Sequence, residues 1–292
     1  MSRILFAILV VMISSLQSTH AQKNAIDSLN TLLAHATSDS TKVLLRIDLA
    51  GIYQFNNSDS AVTIIEEALK QAREIRFKRG ELRAIVRQGE VRHLKGELSQ
   101  ALEDELNAIR MSQQYNYPDI EAESLTFLAT IYLDLAEYRK AQAYLFRAKK
   151  IYDNINTRLL TGGALQIPPY TLLNIGYAYE KLNMLDSAMI FYKESLNYPI
   201  HLEDQHRADL LTRIGILQSR KQNYADANTY FRDALNITKG SNDLINRSVA
   251  LYQIALLFTE QSHIDSALHY ASLAYNAGVK SSYKATLLDV IC

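Results

Sequence analysis

Histidine and cysteine side chains, which often act as metal ligands or nucleophiles, are spread along this 292-residue chain without a catalytic spacing. Two histidine pairs lie close in sequence, His201 with His206 and His263 with His269. Neither pair has the four-residue spacing that would put two ligands on one face of a helix. The single cysteine, Cys292, lacks a second thiol for a disulfide or a zinc site. We therefore predict no catalytic residues, no bound metal and no cofactor.

Motifs for phosphate binding or hydrolysis do not occur in the sequence. It contains no G-x-x-x-x-G-K-[ST] loop, no G-x-S-x-G elbow and no Rossmann glycine pattern, and the double glycine in RLLTGGAL is not followed by lysine. Acidic pairs such as Glu66 with Glu67 and Glu103 with Glu105 lie in segments that also carry basic residues. We interpret these pairs as part of a solvated helical face and predict that these residues are not an enzyme.

The segment Arg73–Lys95 has the strongest local charge bias, with only Glu74, Glu81 and Glu90 as acidic counterweights. Two interpretations stay open: a patch for an acidic peptide or an anionic glycan, and a solvated helix surface with local ion pairs. The whole chain has 31 basic and 31 acidic side chains, so it has no overall positive field to attract a polyanion. Nucleic acid is therefore not an expected partner.

The first 21 residues have the pattern of a secretory signal peptide. Arg3 precedes an apolar run of about thirteen residues, ILFAILVVMISSL, and the small residues that follow suit cleavage after Ala21. A membrane anchor is the alternative, but a spanning helix needs about 20 apolar residues, and no later segment approaches that length. We expect an exported chain, periplasmic or extracytoplasmic, whose mature part up to residue 292 makes no contact with a membrane.

A repeat of about 40 residues organises the remainder of the chain. Six alanines recur at intervals of 40, 40, 47, 39 and 40 residues: Ala61, Ala101, Ala141, Ala188, Ala227 and Ala267. Eleven or twelve residues before each alanine stands another small residue: Ala50, Gly89, Ala129, Gly176, Gly215 and Ala255. A third small residue follows seven positions after: Ala68, Ala108, Ala148, Ser195, Ala234 and Ala274. Larger apolar residues flank them at helical spacing, so each repeat is predicted to be a hairpin of two amphipathic helices.

Gly176 lies in the middle of a predicted helix, where glycine costs about 1 kcal/mol relative to alanine. Two packed helices approach closely only where side chains are small, so Gly176 and Ala188 are predicted to mark the crossing inside one hairpin. Because alanine stands at three of the six equivalent positions, we expect glycine there to be replaceable by alanine but not by leucine.

The predicted organisation has three parts. Residues 1–21 form the signal peptide, residues 22–41 a short N-terminal helix and linker, and residues 42–292 about six hairpins and the start of a seventh. The longer interval of 47 residues comes from residues 153–169, which we interpret as a surface loop or an extra helical turn. The final YKATLLDVIC would begin a helix without its partner, so we interpret the sequence as a fragment of a longer protein.

The fourth repeat combines the small-residue triplet with aromatic partners in the manner of a known repeat family: Gly176, Tyr179, Ala188 and Tyr192. This pattern resembles the tetratricopeptide repeat, and the resemblance covers residues 42–292. It implies an all-α fold, a tetratricopeptide-like superhelical solenoid of antiparallel helix pairs. The period near 40 instead of 34 and the lack of tryptophan depart from the family pattern. HEAT and armadillo repeats stay a minor alternative, and the second repeat fits least well because Gln88 and Arg92 stand where apolar residues are expected.

The order of the segments gives a second resemblance. The chain has, in order, a signal peptide, the short helix AIDSLNTLLAHA, the polar TSDSTK and the 40-residue units. This order resembles the extracytoplasmic sensor region of bacterial tetratricopeptide histidine kinases and related membrane-bound regulators. This resemblance implies the periplasmic sensing part of a signal-transduction receptor, with a membrane anchor beyond residue 292. Two alternatives stay open: a free-standing secreted or periplasmic adaptor, and the N-terminal part of a sensor histidine kinase whose catalytic domain lies beyond residue 292.

The tetratricopeptide resemblance also implies a binding surface. In that family the first helix of each hairpin lines a concave groove, which here would bind a protein or an extended peptide. Helical spacing selects nine candidate partner-binding residues on these helices: Arg83, Arg87, Glu90, Tyr170, Asn174, Tyr177, Arg213, Ile216 and Arg220. Arginine forks bind carboxylates and tyrosines bury flat apolar area, which suits peptide recognition.

Overall fold

The computed structural model describes residues 24–54, 57–156, 160, 165–199, 202–241 and 243–281. Within these ranges every long regular element is an α-helix and no strand occurs. The predicted all-α fold class is therefore confirmed. The described residues divide into two compact units, one that ends at Met184 and one that begins at Leu185.

The N-terminal unit consists of eight of the described helices. They are α1 (24–35), α2 (Asp39–Tyr53), α3 (Ser58–Glu74), α4 (Lys78–Leu94), α5 (Leu98–Tyr115), α6 (Pro118–Asp134), α7 (Tyr138–Asn154) and α8 (Ile167–Lys181). α2 packs with α3, α4 with α5, and α6 with α7, each as an antiparallel hairpin. The first helices also contact one another in order, α2 with α4, α4 with α6, and α6 with α8. This second set of contacts builds a continuous face of first helices.

The C-terminal unit repeats the same arrangement with the remaining described helices. They are α9 (Leu185–Leu196), α10 (Asp204–Arg220), α11 (Tyr224–Ser241), α12 (Leu244–Glu260) and α13 (Ile264–Ser281). α10 pairs with α11 and α12 with α13, and the first helices α10 and α12 contact each other.

Amphipathic periodicity and capping explain why these segments are helical. α3 buries Ala61, Ile65, Ala68 and Ala72, which recur every three or four residues and so line one side of a helix. The Asn57 side chain accepts a hydrogen bond from the Ser60 backbone N–H at 3.1 Å, which satisfies one unpaired donor of the first turn. Other helices are stabilised mainly by this burial of one side against their neighbours.

The small residues of the sequence repeat are buried throughout. The alanine that marks each repeat is at most 7% exposed at all six positions, and the small residue seven positions later is at most 2% exposed. The first-helix positions are buried as well. Close helix packing is therefore what keeps these side chains small, as the repeat pattern predicts.

Gly89 and Gly215 of the first helices contact the residue four positions after the repeat alanine. A Cβ atom added to Gly215 would lie 2.5 Å from Cε1 of Phe231, and one added to Gly89 would lie 2.5 Å from Oε1 of Glu105. Real Cβ atoms do not approach that closely, and the Phe231 ring is fully buried. At Gly215 this contact opposes the expectation that alanine can replace glycine, because the ring opposite fills the space. The crossing predicted for Gly176 with Ala188 stays a prediction.

Most of the helix-to-helix turns share one backbone geometry. One residue of the turn has a positive φ of 56° to 78° at seven turns, and it is the first or second residue after the helix: Arg76, Gly96, Asn116, Ala136, Asn183, Gln222 and Ser262. The next backbone N–H then donates to a carbonyl five residues earlier, as from Glu137 to Tyr132 at 2.9 Å and from His263 to Phe258 at 2.9 Å. This is the Schellman motif, which caps the last carbonyls of a helix and reverses the chain within a few residues.

Two predictions fall outside the described residues: the signal peptide and the start of a seventh hairpin. Of the 153–169 insertion, residues 157–159 and 161–164 also lie outside, while its first residues end α7 and its last residues begin α8. Across the residues that the structure does describe, no helix combines the length and the apolar character that crossing a membrane would require.

Candidate functional site

The predicted partner-binding residues occupy equivalent positions of the first helices. Counted from the small residue of each helix, they stand six or two positions before it, or one or five positions after it. In the N-terminal unit these positions belong to the face built by α2, α4, α6 and α8, which we call the N-terminal face. In the C-terminal unit they belong to α10 and α12, which we call the C-terminal face.

Arg87 is held in a network at the junction of α2 and α4. Its guanidinium donates to Glu90 and to Oε1 of Gln54, the latter at 3.4 Å, and Gln54 Nε2 donates to Glu90 at 2.9 Å. The guanidinium carbon would lie 3.3 Å from a Cβ added to Gly51 on α2, so the arginine packs flat over that glycine. Arg87 and Glu90 are thus neighbours on one surface, and their side chains are each 16% exposed.

Arg83 lies one turn before Arg87 and faces α6. Its guanidinium is 3.4 Å from Oδ2 of Asp119 and 3.8 Å from Oε2 of Glu123. Asp119 is already engaged by Arg79, whose two terminal nitrogens donate to the two carboxylate oxygens. Arg79 also lies over the ring of Tyr117, 5.3 Å from its centroid. Arg83 therefore has only long contacts with its carboxylate neighbours.

The basic segment Arg73–Lys95 forms many ion pairs. Its cations pair with acids of the same segment and of neighbouring helices: Arg73 and Lys78 with Glu81, Arg79 and Arg83 with Asp119, Arg87 with Glu90, Arg92 with Asp104, and Lys95 with Asp59 and Glu97. Several of these side chains are half-buried between helices. The ion-pair interpretation of this segment therefore describes it better than an unpaired basic patch does.

The third hairpin contributes residues that the sequence prediction left out. Glu123, Phe127 and Thr130 of α6 stand at the same positions as Arg83, Arg87 and Glu90 of α4. All three are at most 9% exposed. The repeat register was sufficient to find them, because it places the same positions of successive first helices side by side.

Glu105 on α5 is the second omission. The solvated-face interpretation is wrong for Glu105, while Glu103 is exposed as expected. Its side chain is fully buried, and neither carboxyl oxygen meets a hydrogen-bond partner among the described residues. Burial raises the pKa of Glu105 well above its usual range, and nearby Glu90, Glu123 and Asp104 raise it further, while the Ser124 hydroxyl lowers it slightly. The Ser124 contact offsets little because its geometry is not that of a hydrogen bond.

Glu123 on α6 is one of these neighbours of Glu105 and is buried as well. Burial raises its pKa above the usual value, although Arg83 and Arg87 oppose that shift. Partial burial also raises the pKa of Asp48 on α2, and Arg87 and Arg83 oppose that shift. A cluster of carboxyl groups that resist ionisation thus surrounds the arginines of α4.

The predicted residues of α8 add an amide and two aromatic rings to the N-terminal face. Asn174 is 5% exposed, and its Nδ2 donates to no acceptor within the described part of the chain. Tyr170 and Tyr177 are half-buried, and the Lys181 ammonium lies 5.2 Å from the centroid of the Tyr177 ring. These side chains present polar and flat apolar groups together.

The C-terminal face carries the other predicted residues. Arg213 donates from Nε to Asp209 at 2.9 Å, one turn earlier on α10. Ile216 is half-buried and Arg220 is exposed at the end of the helix. On α12 the equivalent positions hold Gln253 and Leu256, and Leu256 is 40% exposed. These predicted positions are therefore more exposed than those of the N-terminal face.

The unusual polar residues of the second hairpin, Gln88 and Arg92, line a cavity of about 240 Å³ on the side of α4 that faces α3 and α5. Lys95, Glu97 and Gln100 complete its polar wall. Within the described residues no three histidine, cysteine, aspartate or glutamate side chains are placed to hold a metal ion.

A protein-family model described as the tetratricopeptide repeat matches residues 169–198. This stretch is the repeat on which the sequence resemblance was argued, so the resemblance to that repeat is confirmed. A search of curated proteins found no match for this chain.

Solved structures share the fold along most of the chain. The apo form of the quorum sensor NprR from B. thuringiensis is 15% identical over 93% of this chain and 80% of that chain, with a TM-score of 0.63. NprR in complex with its cognate peptide NprX is 15% identical over 99% of this chain and 83% of that chain, with a TM-score of 0.58. PilF of Pseudomonas aeruginosa is 14% identical over 92% of this chain and 97% of that chain, with a TM-score of 0.56. Identities this low show a shared fold, a tetratricopeptide-like helical solenoid.

Proposed function

We propose that this chain is a non-catalytic repeat module that binds a protein or an extended peptide, and that it is the periplasmic sensing part of a signal-transduction receptor. The observation that carries the binding role is the alignment of first helices in each unit, which brings arginine, asparagine and tyrosine side chains to one face. Such a row suits an extended chain, because its side chains can contact successive repeats.

The similarity to peptide-binding relatives supports this proposal. NprR was solved with its cognate peptide NprX, and a Rap protein with a similar fold was solved with the competence and sporulation factor. The exported location rests on the first 21 residues and their signal-peptide pattern. The receptor role rests on the resemblance of the segment order to bacterial sensor regions.

Capture of peptides by the purified chain tests the binding role. Pools of fluorescein-labelled random decapeptides are measured by fluorescence anisotropy, at two salt concentrations, against the parent and two variants. Arg213→Ala combined with Arg220→Ala should weaken capture several-fold and reduce its salt dependence, because both arginines lie on the C-terminal face. Lys193→Ala, an exposed position of α9 away from the predicted residues, is the matched control and should change little.

A contradictory result would be equally clear. If the parent binds no pool, the proposed peptide-binding role is wrong. If Lys193→Ala abolishes capture and the arginine variant retains it, the chain binds partners by another surface than its first-helix faces.

A further inference from the structure

Acidic groups outnumber basic groups on the N-terminal face. Four carboxyl groups interact with the three arginines of α4 that face this surface: Asp48, Glu90, Asp119 and Glu123 against Arg79, Arg83 and Arg87. A fifth carboxyl group, that of Glu105, lies beneath them in the hairpin core. The arginines therefore do not leave a free positive surface for a carboxylate of the partner.

The pairing is complete for two of the arginines and incomplete for the third. Arg79 engages both oxygens of Asp119, and Arg87 engages Glu90. Arg83 stands 3.8 Å from Glu123, whereas a charge-assisted hydrogen bond between such groups is about 2.7 to 2.9 Å long. Oε2 of Glu123 is buried and finds no hydrogen-bond donor among the residues that the structure describes. Glu123 is thus only weakly paired, with Arg83 at 3.8 Å and with no hydrogen bond to Oε2 among the described residues.

Glu105 places a further carboxyl group below this cluster. The equivalent position four residues after the repeat alanine holds Ile65, Leu145 and Phe231 in other hairpins, all at most 1% exposed. A carboxyl group replaces those apolar side chains only in the second hairpin, and it has Glu90, Glu123 and Asp104 as its charged neighbours. Asp104 is paired with Arg92 at 2.6 Å. Because its pKa is raised well above the usual range, Glu105 holds its proton and adds no charge to the cluster.

We propose that Glu123, with Glu90 beside it, forms a subsite that binds a cationic side chain, lysine or arginine, of the partner peptide. This inference rests on the proposed peptide-binding role of the same face. An ammonium or guanidinium group would supply the donors that Glu123 Oε2 lacks and would balance the excess of carboxylates. A metal ion fits less well, because the described residues bring no three ligands together in a suitable geometry.

The residue next along the face suits the rest of such a side chain. Phe127 stands one helical turn after Glu123 on α6 and is 9% exposed. The methylene stem of a lysine or arginine packs favourably on an apolar surface while its charged end reaches a carboxylate. The subsite would therefore select a long basic side chain over a short polar one.

Two peptide pools test this specificity. Fluorescein-labelled random decapeptides with one lysine fixed at the centre are compared with a matched pool that has glutamate there, using the purified full chain. We expect the parent to favour the lysine pool by about tenfold. Glu123→Gln keeps the shape of the side chain and should reduce that preference at least threefold, while Glu103→Gln on the exposed side of α5 should leave it unchanged. Far-ultraviolet circular dichroism and the unfolding midpoint of each variant show that the fold is retained.

Each outcome decides between the two proposals. A parent that binds neither pool refutes the peptide-binding role and this inference together. Binding that is equal for both pools, or stronger for the glutamate pool, refutes the cationic subsite while the peptide-binding role stands. A lysine preference that survives in Glu123→Gln also refutes the subsite, because the preference would then arise elsewhere.

Discussion

At the scale of single residues, the side chain opposite each first-helix small position determines whether glycine or alanine can stand there. Gly215 faces Phe231 and Gly89 faces Glu105, whereas Ala50 and Ala129 belong to hairpins with Ile65 and Leu145 at the opposite position. Glycine thus accompanies the side chains that leave no room for a Cβ atom. The sequence contains this correlation between glycine and the opposite side chain, but it can be recognised only once the contact between the two positions is known.

Gly215→Ala should lower the free energy of unfolding by about 1 to 3 kcal/mol, because its Cβ atom would force the buried Phe231 ring to move. The gain in helix propensity, about 1 kcal/mol, offsets part of this cost. Urea unfolding measures the difference.

A double-mutant cycle gives the control for that prediction. Phe231→Leu alone opens a cavity and is destabilising, but Gly215→Ala added to it should then cost little, since alanine with leucine is the combination in the third hairpin. Strictly additive effects of the two changes would show that Gly215 and Phe231 do not compete for the same space.

The buried carboxyl of Glu105 should make stability depend on pH. Its pKa is raised well above the usual value by burial, so the folded state holds this proton more tightly than the unfolded chain does. The stabilising effect of the proton is complete below about pH 4.3, the usual pKa of glutamate. It is lost as pH rises from there towards the folded-state pKa, by at most about 1.4 kcal/mol per pH unit.

Glu105→Gln should remove this part of the pH dependence, because the amide stays neutral throughout. We expect the variant to gain stability relative to the parent as pH increases above 5, measured as the difference in urea midpoint. Glu103→Gln is the matched control on the exposed side of the same helix. A constant difference between the Glu105→Gln variant and the parent from pH 4 to 8 would contradict a proton held in the core.

At the scale of the helical elements, seven of the described turns contain a residue in the left-handed conformation. Gly96 has φ of 78° and its Cβ position is open, while Ala136 has φ of 57° at the equivalent turn of the next hairpin. Gly96→Ala should therefore cost about 1 kcal/mol from backbone strain alone, and Ala136→Gly should gain up to about 1 kcal/mol. Thermal unfolding measures the stability of both variants. If both substitutions changed stability in the same direction, the turn conformation would not be the cause of the changes.

The repeat register allowed the hairpins and their buried small residues to be predicted, because periodic burial leaves a direct pattern in the sequence. Ion pairs between hairpins are less visible, since their partners lie about one repeat apart. Arg79 with Asp119 and Arg83 with Glu123 are each separated by 40 residues, which is the repeat length. The position of Glu105 could be predicted from the register, but its full burial and lack of hydrogen bonds depend on packing against Gly89 and Ser124.

At the scale of the whole molecule, export is the prediction that determines where the binding faces act. Expression of the full chain in a Gram-negative host should give a periplasmic product whose N-terminal residue is Gln22, since the small residues before it suit cleavage after Ala21. Fractionation with intact-mass measurement checks this. A cytoplasmic product that retains Met1 would remove the basis of the periplasmic proposal.

Arg87 and Arg220 should respond differently to removal, because Arg87 is bonded between two helices whereas Arg220 is exposed at the end of its helix. Arg87 donates to Glu90 and Gln54 between α2 and α4, so Arg87→Ala leaves half-buried acceptors behind and should cost about 1 to 3 kcal/mol. Arg220 is exposed at the end of α10, and Arg220→Ala should stay within about 0.5 kcal/mol of the parent. Urea unfolding of both variants decides the point. If Arg220→Ala destabilises as much as Arg87→Ala, the C-terminal face is also part of the structural framework, and weaker peptide capture by its arginine variant would no longer indicate a lost contact.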